Sequence, residues 1–330
     1  MALPVRMSIS LPFFPGNIEQ IVARAQWAEA EGFDGAWLAD VGAVDAFTLA
    51  GILLARTERL RYGMAVVPAY TRTPAVMAAS CLTLAGIGPG RFVMGLGSSS
   101  HAMIEGWHGI PFDKPLTRVR ETAQALRAML AGEKVMFSGE TLRTHGYVQP
   151  GPVDVPIYLA GLRPKMLEMA AEVGDGVVLN NYPLAALPRM MEHIRIGAER
   201  AGRRLEDVEV VSRLHAIVTD DEAAARESYR KRFAPYFATP VYNRFLAWCG
   251  YQEAADAIEQ GWQEKERAKT SGALSDALVD QIAVIGSAEK CREIVREHIR
   301  LGITTPVINP VEPAALGETY GAFTREKFPV

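Results

Sequence analysis

Cysteine, surplus charge and long apolar runs are all scarce in this chain of 330 residues, and each scarcity excludes something. The three cysteines, Cys81, Cys249 and Cys291, lie far apart and at no metal-ligand spacing. A sparse, odd-numbered set suits reduced thiols in the cytoplasm and not a disulfide framework. With 35 basic against 38 acidic residues the formal charge is −3, so no overall positive field draws nucleic acid or an anionic membrane. No window reaches the roughly 18 apolar residues of a spanning helix, and no basic segment leads into an apolar run as a signal peptide would. The expected partner is a small molecule met in the cytoplasm.

Several motifs are missing as well. No Gly-x-Ser-x-Gly elbow occurs, which counts against a serine hydrolase. His101 and His108 flank Trp107 seven residues apart, no recognised metal pair, and no metal is expected. The turn after the first apolar run reads LPFFPGN. An open, doubly wound dinucleotide-binding sheet would want a glycine fingerprint there.

What is present is a regular alternation of short apolar runs with amphipathic segments. Strands are expected at 5–11, 35–39, 60–67, 91–97, 156–160, 176–179, 208–218 and 305–309. Asn17 stands at an N-cap position, Gly32 at a helix end, and Pro74 and Pro164 at first helical turns. Residues 133–149 suggest a hairpin turning near Phe137, Ser138 and Gly139. Eight strand–helix units favour a closed (β/α)8 TIM barrel in one domain over 1–330. The charged, Ala/Glu/Lys-rich stretch at about 220–280 contains no strand signal and is expected as a helical insertion before the last strand.

In such a barrel, chemistry gathers where the strands end. Those positions hold Asp40, then Gly97, Ser98, Ser99, Ser100 and His101, then Gly161, Leu162, Arg163, Pro164 and Lys165, then Asn180, Asn181 and Tyr182. The fifth-strand loop leads into a helix whose free N–H groups and dipole suit a phosphate, with Arg163 able to add a charged fork. A tight turn carrying a solvated arginine fits the same residues. Asp40 suits a ligand contact, a helix cap or an ion pair. Tyr70, Trp107 and Tyr182 suit either an apolar pocket or a packed rim.

Four stretches carry a resemblance to a known family: WLAD at 37–40, GMAVVPAYTRTP at 63–74, PGRFVMGLGSSS at 89–100 and VPIYLAGLRPKMLEMAAEVGDGVVLN at 155–180. Together, and in this order, they resemble the bacterial luciferase-like superfamily, in particular its branch that uses coenzyme F420. The resemblance implies hydride transfer between this deazaflavin and a small organic substrate, in a homodimer. It implies that Asp40 lies at the polar edge of the ring and that Met64 and Ala65 form a backbone bulge behind it. Gly97, Ser98 and Ser99 would contact the cofactor, Gly161, Leu162 and Arg163 its tail phosphate, and Gly176 and Val177 its path. His101 is the candidate proton donor. Sugar-phosphate dehydrogenases of this branch place a basic histidine directly after the aspartate. Here that residue is Val41, which disfavours alcohol oxidation of that type. Alternatives are a reduced-FMN monooxygenase on the same barrel, a non-catalytic flavin-binding barrel, and an unrelated barrel lyase or isomerase. The last would want a lysine or paired carboxylates at strand ends.

Overall fold

The Asn17 side chain accepts from the Gln20 N–H at 3.1 Å and starts the first helix, Ile18–Ala30, where the sequence places it. The structure is a computed structural model and describes residues 3–11, 17–42, 44–312 and 316–330. Most of the LPFFPGN turn lies outside the described residues. Eight parallel strands form the barrel: β1 (Ser8–Ser10), β2 (Gly35–Leu38), β3 (Arg61–Met64), β4 (Phe92–Gly97), β5 (Ile157–Ala160), β6 (Gly176–Asn180), β7 (Glu209–Val218) and β8 (Thr305–Pro310). Each pairs with the next, and β8 pairs back to β1 (Ser8 opposite Val307), so the sheet closes. Closure satisfies every strand edge, which an open sheet would have to cover.

The helices Ala46–Arg56 and Pro74–Ile87 begin at capping residues. Asp45 accepts from the Thr48 N–H at 2.7 Å and Thr73 from the Val76 N–H at 3.3 Å, with Pro74 in the first turn. None of the helices is long and apolar enough to cross a membrane among the described residues. Apolar residues at even positions of β7 (Val210, Leu214, Ala216, Val218) pack outward into the main core beneath these helices. Their burial supplies roughly 1.5–3 kcal/mol for each large aliphatic side chain.

Three details differ from the sequence expectation. The hairpin pairs Val135–Ser138 with Arg143–Tyr147, so its turn is at 139–142, later than Phe137–Gly139. Glu121 draws it there: its carboxylate accepts from the N–H groups of Glu140 (2.6 Å) and Thr141 (2.8 Å). A short extra strand, Val284–Gly286, follows the insertion and pairs with Ala216–Val218 at the top of β7. Ser100 caps a four-residue helix, His101–Ile104, in a stretch that reads as irregular.

The insertion comprises five helices, Glu222–Phe237, Pro240–Trp248, Gln252–Gln263, Arg267–Gly272 and Asp276–Ile282. Tyr229, Phe233 and Phe237 recur every four residues on the first of these and bury into a core of their own with Leu246, Ile258 and Val279.

Candidate active site

Side chains alternate across a strand, so odd-numbered residues of β7 point into the barrel. At its lower end Glu209 meets Arg61 (2.8 Å), Arg6 (2.8 Å), Tyr158 (2.6 Å) and Thr305 (2.6 Å). Burial pushes the Glu209 carboxyl up, but Arg61 and the hydroxyl donors outweigh it and hold it below its ordinary value. Above this plug, Trp37, Val93, Tyr158, Val178, Val211 and Val307 fill the lumen. Gly63 is obligatory at this level, because a Cβ there would collide with the Trp37 ring.

The next layer up is the floor of the barrel mouth, and its two halves differ in chemistry. Over β3 to β5 it is nearly bare of side chains. Beyond Met64 the chain bulges through a cis Ala65–Val66 peptide before Val67–Pro68 rejoins β4 opposite Leu96 and Gly97. A Cβ at Gly95 would collide with the Met64 carbonyl oxygen, and one at Gly97 would stand 2.6 Å from Val66 and 3.2 Å from Ala160. The bulge thus occupies the space of the missing side chains and leaves a wall of backbone and methyl groups. Over β6 to β8 and β1 the floor is polar, formed by Asn180, Arg213, His215, Asn309 and Ser10. His215 donates from Nε2 to Asn180 Oδ1 (3.0 Å) and accepts at Nδ1 from Asn309 (2.7 Å). Arg213 contacts Ser10 Oγ (3.3 Å) and Asn309 Oδ1 (3.4 Å), and Asn180 donates to the Tyr242 hydroxyl (3.0 Å). Burial, then the charges of Arg213 and Arg232, lowers the His215 pKa well below its usual value. Phe233 of the insertion packs on the His215 ring at 4.2 Å between centroids, and Tyr229 donates to Asn181 at 3.1 Å.

The sequence-derived candidates that lie at the mouth fall into three groups. Met64, Ala65, Gly97, Ser98 and Ser99 gather at the bare half, with Gly161 on the adjoining β5 loop. Ser99 adopts a left-handed backbone (φ 61°), and Ser98 spends its hydroxyl on only a 3.3 Å contact with the Ser99 carbonyl. Gly161, Leu162 and Arg163 lead into the helix Pro164–Val173, whose N-cap Arg163 makes no side-chain cap. Among the described residues the amides of Leu162, Arg163 and Lys165 find no acceptor. Asp40 sits at the end of β2, 3.5 Å from Arg72 Nε, while Arg72 also binds Asp45 and lies over the Phe47 ring. The helix cap is therefore Asp45 and not Asp40.

Gly176 and Val177 are not brought to the mouth. They begin β6 at the lower end, Gly176 opposite Glu209 and Tyr158, and Val177 faces the outer helices. The glycine is required by the Tyr158 ring, which a Cβ would approach to 2.8 Å. His101 stands on the rim with an exposed side chain paired to Glu105 at 2.9 Å. Tyr182 turns outward, bonded to Ser212 at 2.7 Å, and Trp107 is exposed beside Gly42. Sequence reading missed Arg213, His215 and Asn309. The signal is the odd-numbered polar residues Arg213 and His215 within SRLHAIV and Asn309 within TPVINP, visible once each strand's inward face is known. Among the described residues no three metal-ligand side chains cluster. A cleft of about 400 Å³ bounded by Arg127, Pro156 and Asp175 opens at the lower end of the barrel, away from these groups.

A family model described as luciferase-like monooxygenase matches residues 5–305. The chain is 30% identical over 313 residues to the 5,10-methylenetetrahydromethanopterin reductase of Methanolobus tindarius, covering 93% of this chain and 95% of that one. It is 30% identical over 329 residues to a Mycobacterium tuberculosis protein provisionally named a coenzyme F420-dependent oxidoreductase, with 89% and 90% covered. Among solved structures, the coenzyme F420-dependent tetrahydromethanopterin reductase of Methanopyrus kandleri superposes with a TM-score of 0.82 at 22% identity, over 98% of each chain.

Proposed function

The chain belongs to the luciferase-like monooxygenase family, and from that premise we propose that it is an oxidoreductase using coenzyme F420 to exchange a hydride with a small organic substrate. The observation that carries this reading is the bare half of the barrel mouth. A flat fused ring needs a wall it can lie against, and Gly95 and Gly97 bear no side chains because the β3 bulge fills their Cβ positions. Ala65 and Ala160 complete the wall with methyl groups. The residues present fit the cofactor.

When bound, the deazaflavin supplies a carbon centre that gives or takes a hydride, while the protein supplies position and electrostatics. Met64 and Ala65 hold the ring from behind, and Asp40, fixed by Arg72, meets its polar edge. Ser98 and Ser99 offer hydroxyl donors to ring oxygens. The amides of Leu162, Arg163 and Lys165, at the positive end of a ten-residue helix, hold the tail phosphate. Val41, beside Asp40, accepts no proton, so the reading favours reduction of an electron-poor double bond over alcohol oxidation by a base at this position. His215 has both ring nitrogens engaged and serves to orient Asn180 and Asn309. His101, on the rim and paired with Glu105, is the candidate proton donor. A cytoplasmic homodimer is part of the same proposal.

A crystal structure of the protein with F420 tests the placement. The ring is expected against the Met64–Val66 bulge with the tail at Gly161–Lys165. A ring lodged over β6 to β8 overturns it.

A further inference from the structure

We propose that Arg213 is the anion-binding residue of the substrate subsite, and that the substrate class is a small organic carboxylate seated against Arg213, Ser10 and Asn309 beneath the aromatic side chains of the insertion. The inference rests on the reading of the mouth given above and names the occupant of its polar half.

A guanidinium carries five N–H donors. Only Nη2 of Arg213 makes contacts, both long, to Ser10 Oγ at 3.3 Å and Asn309 Oδ1 at 3.4 Å. Nη1 and Nε find no acceptor among the described residues, yet neither is sealed from solvent without a partner. No carboxylate lies within ion-pair distance of Arg213 among the described residues, its side-chain contacts being Ser10 and Asn309. The residues outside the described set (1–2, 12–16, 43 and 313–315) include no Asp or Glu. The acid on the same strand, Glu209, is two inward steps below, roughly 13 Å at the rise of a strand. It is already claimed by Arg6 and Arg61. One strand therefore carries a fully matched charge at the closed end of the barrel and an unmatched one at the open end. Arg213 is half-buried with Nη1 and Nε open to the mouth, so an anion seated there replaces water as their partner. Burial lowers the Arg213 pKa, but an arginine stays protonated through such a shift.

The surroundings select the anion. His215 is held neutral, so the subsite presents one contacting cation, suited to a monoanion. Tyr242, bonded to Asn180 at 3.0 Å, and Tyr236 packed beside it border this half and keep ring surface exposed for an organic body, which a bare inorganic anion does not use. The planar fork of Arg213 matches the two oxygens of a carboxylate.

The test titrates the F420-loaded protein with benzoate and, in parallel, with the neutral isostere benzamide, followed by calorimetry. Benzoate is expected to bind the wild type about tenfold more tightly than benzamide, with the preference falling as salt rises. Arg213→Gln is expected to abolish the preference and Arg213→Lys to retain part of it, while F420 affinity in both stays within about twofold. Equal binding of the two probes, no saturable benzoate binding, or a preference that survives Arg213→Gln overturns the proposal. The wild-type comparison decides the matter even where a variant fails to fold. If the benzoate preference holds but F420 does not bind, the cofactor reading fails and the anion subsite stands.

Discussion

His215 accepts a hydrogen bond from Asn309 at Nδ1, 2.7 Å away, while its Nε2 donates to Asn180. This pairing fixes the tautomer and gives direction to a chain that runs from Arg213 through Asn309, His215 and Asn180 to the Tyr242 hydroxyl. Nitrogen-15 NMR is expected to report an Nε2–H imidazole that stays neutral well below the ordinary histidine range. A signal titrating near 6.5 would mean that the chain is open.

The same residue makes stability depend on pH. His215 and His298 both have pKa values lowered from 6.5, chiefly by burial. Below that value the unfolded chain takes up protons that the folded one refuses, so their contribution is full above about pH 6.5 and is lost as pH falls. The loss is at most about 1.4 kcal/mol per pH unit for each histidine. Urea midpoints measured at several pH values between neutral and acid are expected to fall on the acid side. His215→Asn is expected to flatten that slope; an unchanged slope would assign the dependence to other groups.

Glu209 is the keystone of the lower plug. Glu209→Gln leaves Arg61 and Arg6 facing a neutral amide inside the barrel and is expected to cost about 3–5 kcal/mol, read from urea denaturation. F420 binding by the folded fraction should persist, because the plug lies below the valine layer. A loss under about 1 kcal/mol would show that water already shares this site.

Ala160 offers the most direct test of the bare wall. Its methyl group points into the mouth beside Gly97. Ala160→Leu adds bulk at the proposed ring position and is expected to weaken F420 binding by more than about tenfold while costing roughly 1–3 kcal/mol of stability. Fluorescence titration alongside thermal unfolding separates the two effects.

Arg163 is exposed and has no side-chain partner among the described residues. On the proposal that the backbone amides carry most of the phosphate binding, Arg163→Ala is expected to weaken F420 binding by about fivefold at low salt and by little at high salt. An unchanged affinity at low salt removes the side chain, though not the amides, from the phosphate site.

The barrel was legible in the sequence because its signals are local: Asn17 caps, Pro74 and Pro164 open helices, and the apolar runs alternate with amphipathic segments. The bulge at Ala65 was reached through resemblance, since one peptide bond leaves no periodic trace. The polar half was not legible. Whether Arg213 and His215 face lumen or helices depends on the register of β7 with β6 and β8, whose partners are Gly176 for Glu209 and Thr305 for Val211, far off in sequence. Gly176 misled for the converse reason: a glycine in a cofactor-like motif is explained here by the Tyr158 ring.

Paired equilibrium titrations of the purified protein with F420 and with FMN test the central claim most directly. Saturable one-to-one binding of F420 in the micromolar range, at least about tenfold tighter than FMN, is the predicted result. Binding of FMN with no measurable affinity for F420 would contradict it.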